Sequence, residues 1–229
     1  MDRSDMARLL PKFSPFFGMR DDQLEEVAAK SFYQVNPRGQ AIFNRGESAK
    51  GMYLLQEGQV KLAVSSPQGS EKVIGIIERE ECFGESTIFM EKPRFSVSAH
   101  ATKDCKVVFI PRHVIMGMLE KDNTLARKML RGLSMRNDQL VKDIESVALY
   151  SCSQRLVCYL LQIVGVSADK RSIKLPASKV NIASLLNIKP ETLSRTLLKL
   201  EQAELILVKG NVISILDLDG LREFECASK

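Results

Sequence analysis

The stretch KLPASKVNIASLLNIKPETLSR, residues 174–195, decides how the chain is read. Ile182, Leu185, Leu186, Ile188, Leu193 and Leu197 fall at spacings that let two short helices close over a shared core. Ala183 is small where the second helix passes close. Asn187 stands at the turn between them, where a residue that tolerates the left-handed backbone region is wanted. Pro190 fits the first turn of the second helix, where its missing N–H costs nothing. Upstream, residues 153–164 (SQRLVCYLLQIV) read as a compact apolar helix. Downstream, LILV and VISIL form two apolar strands joined across Lys209-Gly210-Asn211. Helix, turn, helix and a two-stranded wing is the layout of a winged helix-turn-helix.

The second helix of such a unit meets base edges in the major groove through its N-terminal, outward residues. Glu191, Ser194 and Arg195 share one face at i, i+3 and i+4, and Thr192 joins the DNA-facing set. Arg195 would donate to a guanine or a phosphate, Glu191 would accept from a cytosine amino group, and Ser194 would bond either way. Ser178, Lys179, Lys189 and Lys199 suit phosphates, which set position rather than sequence. The alternative is a solvated face on which Glu191 and Arg195 pair, worth a few tenths of a kcal/mol. The wing and the local charge favour DNA. Residues 153–209 carry 9 Lys and Arg against 4 Asp and Glu, whereas residues 1–149 carry 22 against 20. A localised positive surface attracts polyanions, nucleic acid first among them.

Working towards the N-terminus, residues 123–151 hold Ala126, Leu130, Leu133, Asn137, Leu140, Ile144 and Val147 at spacings of 4, 3, 4, 3, 4 and 3. That is a heptad seam with Leu130, Asn137 and Ile144 at a, and a single Asn at a fixes register in a two-stranded coil. The alternative is a long helix lying on its own sheet. Met129, Met135 and Val141 widen the stripe, so one flank is also expected to face the β-domain. From Gln34 to Pro111, short β-branched and aromatic runs (AIF, MYLL, QVKLAV, KVIGII, VVFI) alternate with glycine-bearing turns at Gly39, Gly46, Gly58, Gly69 and Gly84. Many short strands at regular spacing predict an antiparallel sandwich or barrel. The first 30 or so residues read as short helical pieces.

Composition removes several classes. The 229 residues are 45% hydrophobic and 27% charged, with a net charge of +5, and no apolar run approaches the ~20 residues of a membrane-spanning helix. MDRSDMARLL lacks the apolar core of a secretory signal, so the expected location is cytoplasmic and no membrane partner is expected. Five cysteines without a CxxC pair argue against a disulfide framework or a zinc finger. No Walker loop, GxGxxG, GxSxG or HExxH is present, so no enzyme is expected.

The chain resembles the superfamily of the cyclic-AMP receptor protein and the fumarate–nitrate reduction regulator over roughly residues 13–222. The resemblance is carried by IFNRGE (42–47), YLLQEGQVKL (53–62), FGE (83–85), the heptad helix and residues 174–195. It implies an α+β fold: an N-terminal antiparallel β-roll (a double-stranded β-helix, cupin-like), a long coiled-coil dimerisation helix and a C-terminal winged helix-turn-helix. The expected divisions are 1–111 for the effector-sensing roll with its short helices, 112–150 for the dimerisation helix and 151–229 for the DNA-binding domain. The function implied is a homodimeric bacterial transcription regulator that binds inverted-repeat DNA when an effector occupies the roll, with RNA polymerase as a further partner. The expected dimer interface is Leu130, Leu133, Asn137, Leu140, Ile144 and Val147. PETLSR (190–195) is similar to the fumarate–nitrate branch and the dissimilative nitrate respiration regulators. There the residues matching Glu191, Ser194 and Arg195 read a TTGAT- or TTGAC-type half-site, whereas ETxGR would imply TGTGA.

The effector site departs from the cyclic-nucleotide pattern. Gly84 and Glu85 match the phosphate-cassette glycine and the ribose-binding glutamate, although a turn glycine and a structural carboxylate are the plainer alternative. Where nucleotide binders place the phosphate-pairing arginine stands Phe95, followed by Ser96, and Arg94 is one residue early. A one-residue slip in a strand turns a side chain to the other face. Leu140 and Val141 stand where hydroxyls would meet adenine, and each unpaired group costs about 1–3 kcal/mol. Cyclic AMP is therefore not the expected ligand. No cysteine precedes Cys82, so an iron–sulfur cluster, which wants four thiolates, is not expected either. The resemblance to the nitrate-respiration regulators implies haem and a response to nitric oxide in an apolar cavity between roll and dimer helix. The axial-ligand candidates are His100, His113, Cys82 or a methionine. His100 alternates with Ser96, Ser98 and Thr102, the pattern of a strand's solvent face. A cyclic-nucleotide-gated or thiol-redox-gated regulator of the same superfamily is the alternative. Cys152 and Cys158 read as small hydrophobes or redox-active thiols.

Overall fold

A computed structural model describes residues 2–66, 68–121, 123–165 and 172–226. The chain forms two compact units, Met1–Asp138 and Gln139–Lys229. The first opens with α1 (Arg3–Leu9), two 3-10 turns and α2 (Asp21–Lys30). Eight strands follow: β1 (Phe32–Asn36), β2 (Ala41–Phe43), β3 (Gly51–Glu57), β4 (Val60–Ser65), β5 (Glu71–Ile77), β6 (Cys82–Phe83), β7 (Ser98–Ala101) and β8 (Cys105–Pro111). They make two four-stranded antiparallel sheets, ordered β1-β8-β3-β6 and β2-β7-β4-β5.

Period-two alternation splits the side chains of the first sheet between two cores. On β3, Tyr53 and Leu55 enter the roll interior with Phe43, Val60, Phe83, Phe95 and Val107. The intervening Met52 and Leu54 join a second core with Phe13, Phe16, Leu24, Val27, Val108 and Ile110. The short N-terminal helices therefore cover the outside of this sheet. All five glycines read as turn residues have positive φ. At Gly58 the requirement is also spatial, because a Cβ would lie 2.4 Å from the Asp104 carbonyl oxygen and 2.7 Å from Cys105 Sγ.

In the stretch 112–150, expected as one dimerisation helix, the described residues are helical over α3 (Arg112–Lys121) and α4 (Asn123–Leu149), and residue 122 lies outside the described residues. Val114, Ile115 and Met118 of α3 are spent on the outer core, and α4 enters the same core only through Leu125 and Met129. Met129 thus faces the β-domain as its flank predicts, whereas Met135 and Val141 are exposed.

The second unit contains α5 (Cys152–Gly165), β9 (Ser172–Lys174), α6 (Lys179–Leu185), α7 (Pro190–Gln202), β10 (Ile206–Lys209), β11 (Val212–Ile215) and α8 (Leu218–Cys226). Its sheet has the order β10-β11-β9, and its core joins Leu156, Leu160, Ala183, Leu193, Leu197, Ile213 and Leu221. Sequence reading finds the elements here except β9, which makes the wing sheet three-stranded, and α8. No described helix is long and apolar enough to cross a membrane.

Candidate nucleic-acid interface and effector domain

The interface is built from α6, its turn and α7. Ser178 caps α6, its Oγ accepting from the Asn181 N–H at 3.3 Å. At the other end Asn187 takes φ +55°, the left-handed conformation anticipated for it. The Ile188 N–H then donates back to the Ala183 carbonyl at 3.0 Å. Ala183 is fully buried, so the chain folds back where no larger side chain would fit. Pro190 is the first residue of α7, after Lys189 in an extended conformation.

Leu193, Thr196, Leu197 and Leu200 bury one face of α7. Glu191, Ser194, Arg195 and Lys199 lie on the opposite, exposed face. Thr192 is half-buried beside them, Lys189 is exposed, Ser178 is exposed and Lys179 is half-buried. Among the described residues, neither Glu191 nor Arg195 forms an ion pair, so both charges remain available to a ligand. The Ser194 hydroxyl donates to the Pro190 carbonyl at 3.1 Å. Its proton is used within the helix, and its lone pairs are left to accept from a base amino group, a narrower role than donation and acceptance together.

Two contacts that sequence reading misses hold α7 in place. Glu201 Oε1 accepts from the Val208 N–H at 2.8 Å, tying the helix to the wing. Arg155 of α5 donates through Nη1 to the carbonyls of Leu186 (3.1 Å) and Asn187 (3.0 Å). A lone cation in the apolar run SQRLVCYLLQIV is the signal that would have marked Arg155.

In the roll, Gly84 has φ +80° and faces Phe95, whose Cε1 would lie 3.1 Å from an added Cβ. Phe95 is buried and stacked on Phe43, with Tyr53 and Phe83 completing the aromatic cluster. The position where the resemblance looks for a phosphate-pairing arginine is thus filled by packed rings. Arg94 is exposed and donates to the Gly46 carbonyl at 2.7 Å. Ser96 is exposed, as are Leu140 and Val141. A cleft of about 300 Å³ opens elsewhere, between α1, α2 and β1 beside Met6, Ala28 and Phe32.

Glu85 is half-buried, and burial holds its carboxyl above the usual range, partly countered by its own backbone N–H and by Arg136 of α4. Glu81 is likewise pushed up, chiefly by burial. Arg136 reaches over Gly75, where an added Cβ would lie 3.5 Å from Nη2.

The candidate haem ligands do not converge. Cys82 packs with the outer core of the first sheet. Burial, Glu85 and Glu81 all raise its thiol pKa, opposing the thiolate that a metal needs. His100 sits between buried Ala99 and Ala101 on the outer face of the second sheet, and His113 is exposed on α3. Buried Met52, Met118 and Met129 also belong to the outer core. Among the described residues, no three His, Cys, Asp or Glu side chains group around a possible metal position. With aromatic rings filling the interior, the residues present do not fit a haem inside the roll.

The cyclic nucleotide-binding domain family matches residues 34–122, and the Crp-like helix-turn-helix domain family matches residues 154–224. The chain belongs to the Crp/Fnr family. It is 24% identical to the fumarate and nitrate reduction regulatory protein of Vibrio cholerae, covering 91% of this chain and 83% of that protein. It is also 24% identical to the CRP-like cAMP-activated global transcriptional regulator of Mycobacterium tuberculosis, covering 94% and 98%. The structure of FixK2 from Bradyrhizobium japonicum superposes with a TM-score of 0.76 at 19% identity, over 87% of this chain and 99% of that one, which shows the fold. The sensor domain of the transcriptional regulator DNR from Pseudomonas aeruginosa matches at TM-score 0.56 and 26% identity, over 61% and 93%. As a Crp/Fnr regulator, the chain is a DNA-binding transcription regulator with an effector-binding domain. Family members bind DNA and are usually dimers.

Proposed function

We propose that this Crp/Fnr regulator acts as a homodimer on an inverted repeat of TTGAT- or TTGAC-type half-sites. The observation that carries the reading is the outward face of α7, on which Glu191, Ser194 and Arg195 stand together, exposed and without ion-pair partners among the described residues. Ser178, Lys179, Lys189 and Lys199 supply phosphate contacts, and Thr192 supports the base-reading face. Two such helices enter successive major grooves about 34 Å apart.

Dimerisation runs along α4. Leu130, Ile144 and Val147 are 63%, 69% and 48% exposed in the single chain, and Leu140 and Asn137 are exposed with them. Leu133 completes the seam. Apolar side chains at a and d have a partner helix as their natural cover. The start of α4 is rooted in the roll through Leu125 and Met129, so a ligand bound more tightly by one arrangement of the roll would shift the pair of helices. RNA polymerase is the further partner of the DNA-bound dimer, and the cytoplasm is its place of action.

The gate lies in the roll, and its ligand differs from cyclic AMP, because Phe95 stacks where the phosphate partner would stand. Among the described residues, His100, His113 and Cys82 do not converge as axial ligands for haem. Sedimentation and DNA-shift measurements on Ile144→Asp test the assembly. The variant is expected to be monomeric and to lose the inverted repeat. A variant that stays dimeric with unchanged DNA affinity overturns the dimer assignment.

A further inference from the structure

The turn of the helix-turn-helix is reached from α5 by the side chain of Arg155. Arg155 is half-buried on α5, 31 residues from Leu186 in the chain. Its Nη1 bridges the carbonyls of Leu186 and Asn187, and its Nη2 donates to Cys152 Sγ at 3.3 Å. Leu186 is the C-cap of α6, and Asn187 is the left-handed residue that reverses the chain into α7. Carbonyls at a helix end have no partner in the helix itself, so a cation there satisfies them and meets the negative end of the dipole.

The backbone of the turn is closed on its other side by amides: Leu186 N–H to Ile182 O at 2.9 Å, Asn187 N–H to Ser184 O at 3.1 Å, and Ile188 N–H to Ala183 O at 3.0 Å. Those bonds fix the turn internally. Against the rest of the domain the turn is held by packing, with Ala183 and Ile188 in the core and Leu186 beside it. Arg155 adds a directional tie to the turn's backbone, because α5 is anchored in the core through Leu156, Val157 and Leu160. Its own start is also capped, with Ser151 Oγ accepting from the Gln154 N–H and Gln154 Oε1 accepting from the Ser151 N–H.

We propose that Arg155 is a positioning residue for DNA reading: its guanidinium sets the angle at which α7 leaves the turn, and hence where Glu191, Ser194 and Arg195 meet the bases. The proposal rests on the DNA-reading role given to those three residues. It predicts a division between two kinds of binding. Phosphate contacts tolerate a small misalignment because they act as charges, whereas base contacts need geometry. A loosened turn therefore costs specificity before it costs overall affinity.

The test uses full-length Arg155→Lys, which keeps the charge but replaces the planar fork with a single amine. Fluorescence anisotropy compares an inverted repeat of TTGAT half-sites with a scrambled duplex of equal length, and hydrogen exchange is followed at residues 186–193. The expected result is an operator affinity about tenfold weaker and a scrambled-duplex affinity within twofold. Exchange should be faster at 186–193 and unchanged in the wing at 206–215. An unchanged ratio of operator to scrambled affinity overturns the proposal, as does an equal fall in both. If the unsubstituted protein shows no operator preference, the half-site reading fails by itself. Exchange then decides for Arg155: faster exchange confined to the turn sustains the positioning role, and unchanged or globally faster exchange ends it.

Discussion

The rings of Phe43 and Phe95 lie face to face in the roll, with centroids 3.7 Å apart and planes 13° from parallel. Phe95 stands where the resemblance looks for a phosphate-pairing arginine, and here it is part of the core. Removing it leaves a void among Phe43, Tyr53 and Phe83. Phe95→Ala is expected to destabilise the roll by about 3–5 kcal/mol, read by denaturant unfolding. Cyclic AMP at millimolar concentration is expected to leave both the melting temperature and the operator affinity unchanged. A cyclic-AMP-dependent rise in either would contradict the account of Phe95.

Gly58 makes a second packing prediction. It combines φ +97° with backbone and sulfur atoms inside 3 Å of any Cβ. Gly58→Ala meets both penalties and is expected to cost more than 2 kcal/mol, roughly the strain of a left-handed alanine plus overpacking. Gly69→Ala, also at positive φ but with open space around it, should cost less. Thermal melts of the two variants make the comparison.

Glu85 gives the fold a pH dependence. Its folded-state pKa is raised by burial above the ordinary value of 4.5, so the folded roll holds this proton more tightly than the unfolded chain does. Protonation therefore favours folding. The ionised carboxylate costs stability at neutral pH, and that cost disappears as pH falls through the raised value towards 4.5. Glu85→Gln should raise the melting temperature at pH 7, with the gain shrinking on acidification. Arg136 lowers the same pKa, so Arg136→Gln should move the dependence to higher pH. An Arg136 variant with an unshifted profile would contradict the arrangement.

Much of this architecture is legible in the sequence because local chemistry and tertiary structure agree. The strands AIF, MYLL, QVKLAV, KVIGII and VVFI all form, and the glycines between them take the positive φ that their turns need. Asn187 and Pro190 behave as their backbone preferences dictate. What stays hidden are long-range ties. A lone cation in an apolar run marks Arg155 as unusual but does not say that it reaches two carbonyls 31 and 32 residues away, and nothing local in Glu201 says that it accepts from the wing. The filling of the roll interior is a further feature the pattern does not give. An apolar composition is compatible with an open cavity or with packed rings, and only coordinates separate them.

Haem binding is tested by anaerobic titration. With His100 outward, His113 exposed and the Cys82 thiol pKa raised by burial, the expected result is no stoichiometric Soret band and no change in operator affinity on adding nitric oxide. One haem per subunit, lost in His100→Ala or Cys82→Ala, would contradict the structural account of the roll.

The most direct test of the DNA-reading assignment is the affinity of full-length Arg195→Ala for the TTGAT/TTGAC inverted repeat, measured by anisotropy beside the same scrambled duplex. Arg195 is exposed on the reading face and carries no packing role, so the variant should remain folded and dimeric. The predicted result is loss of the operator preference, with binding to the scrambled duplex retained. An Arg195→Ala protein that still prefers the operator as strongly as the unsubstituted chain would contradict the assignment of α7 as the reader.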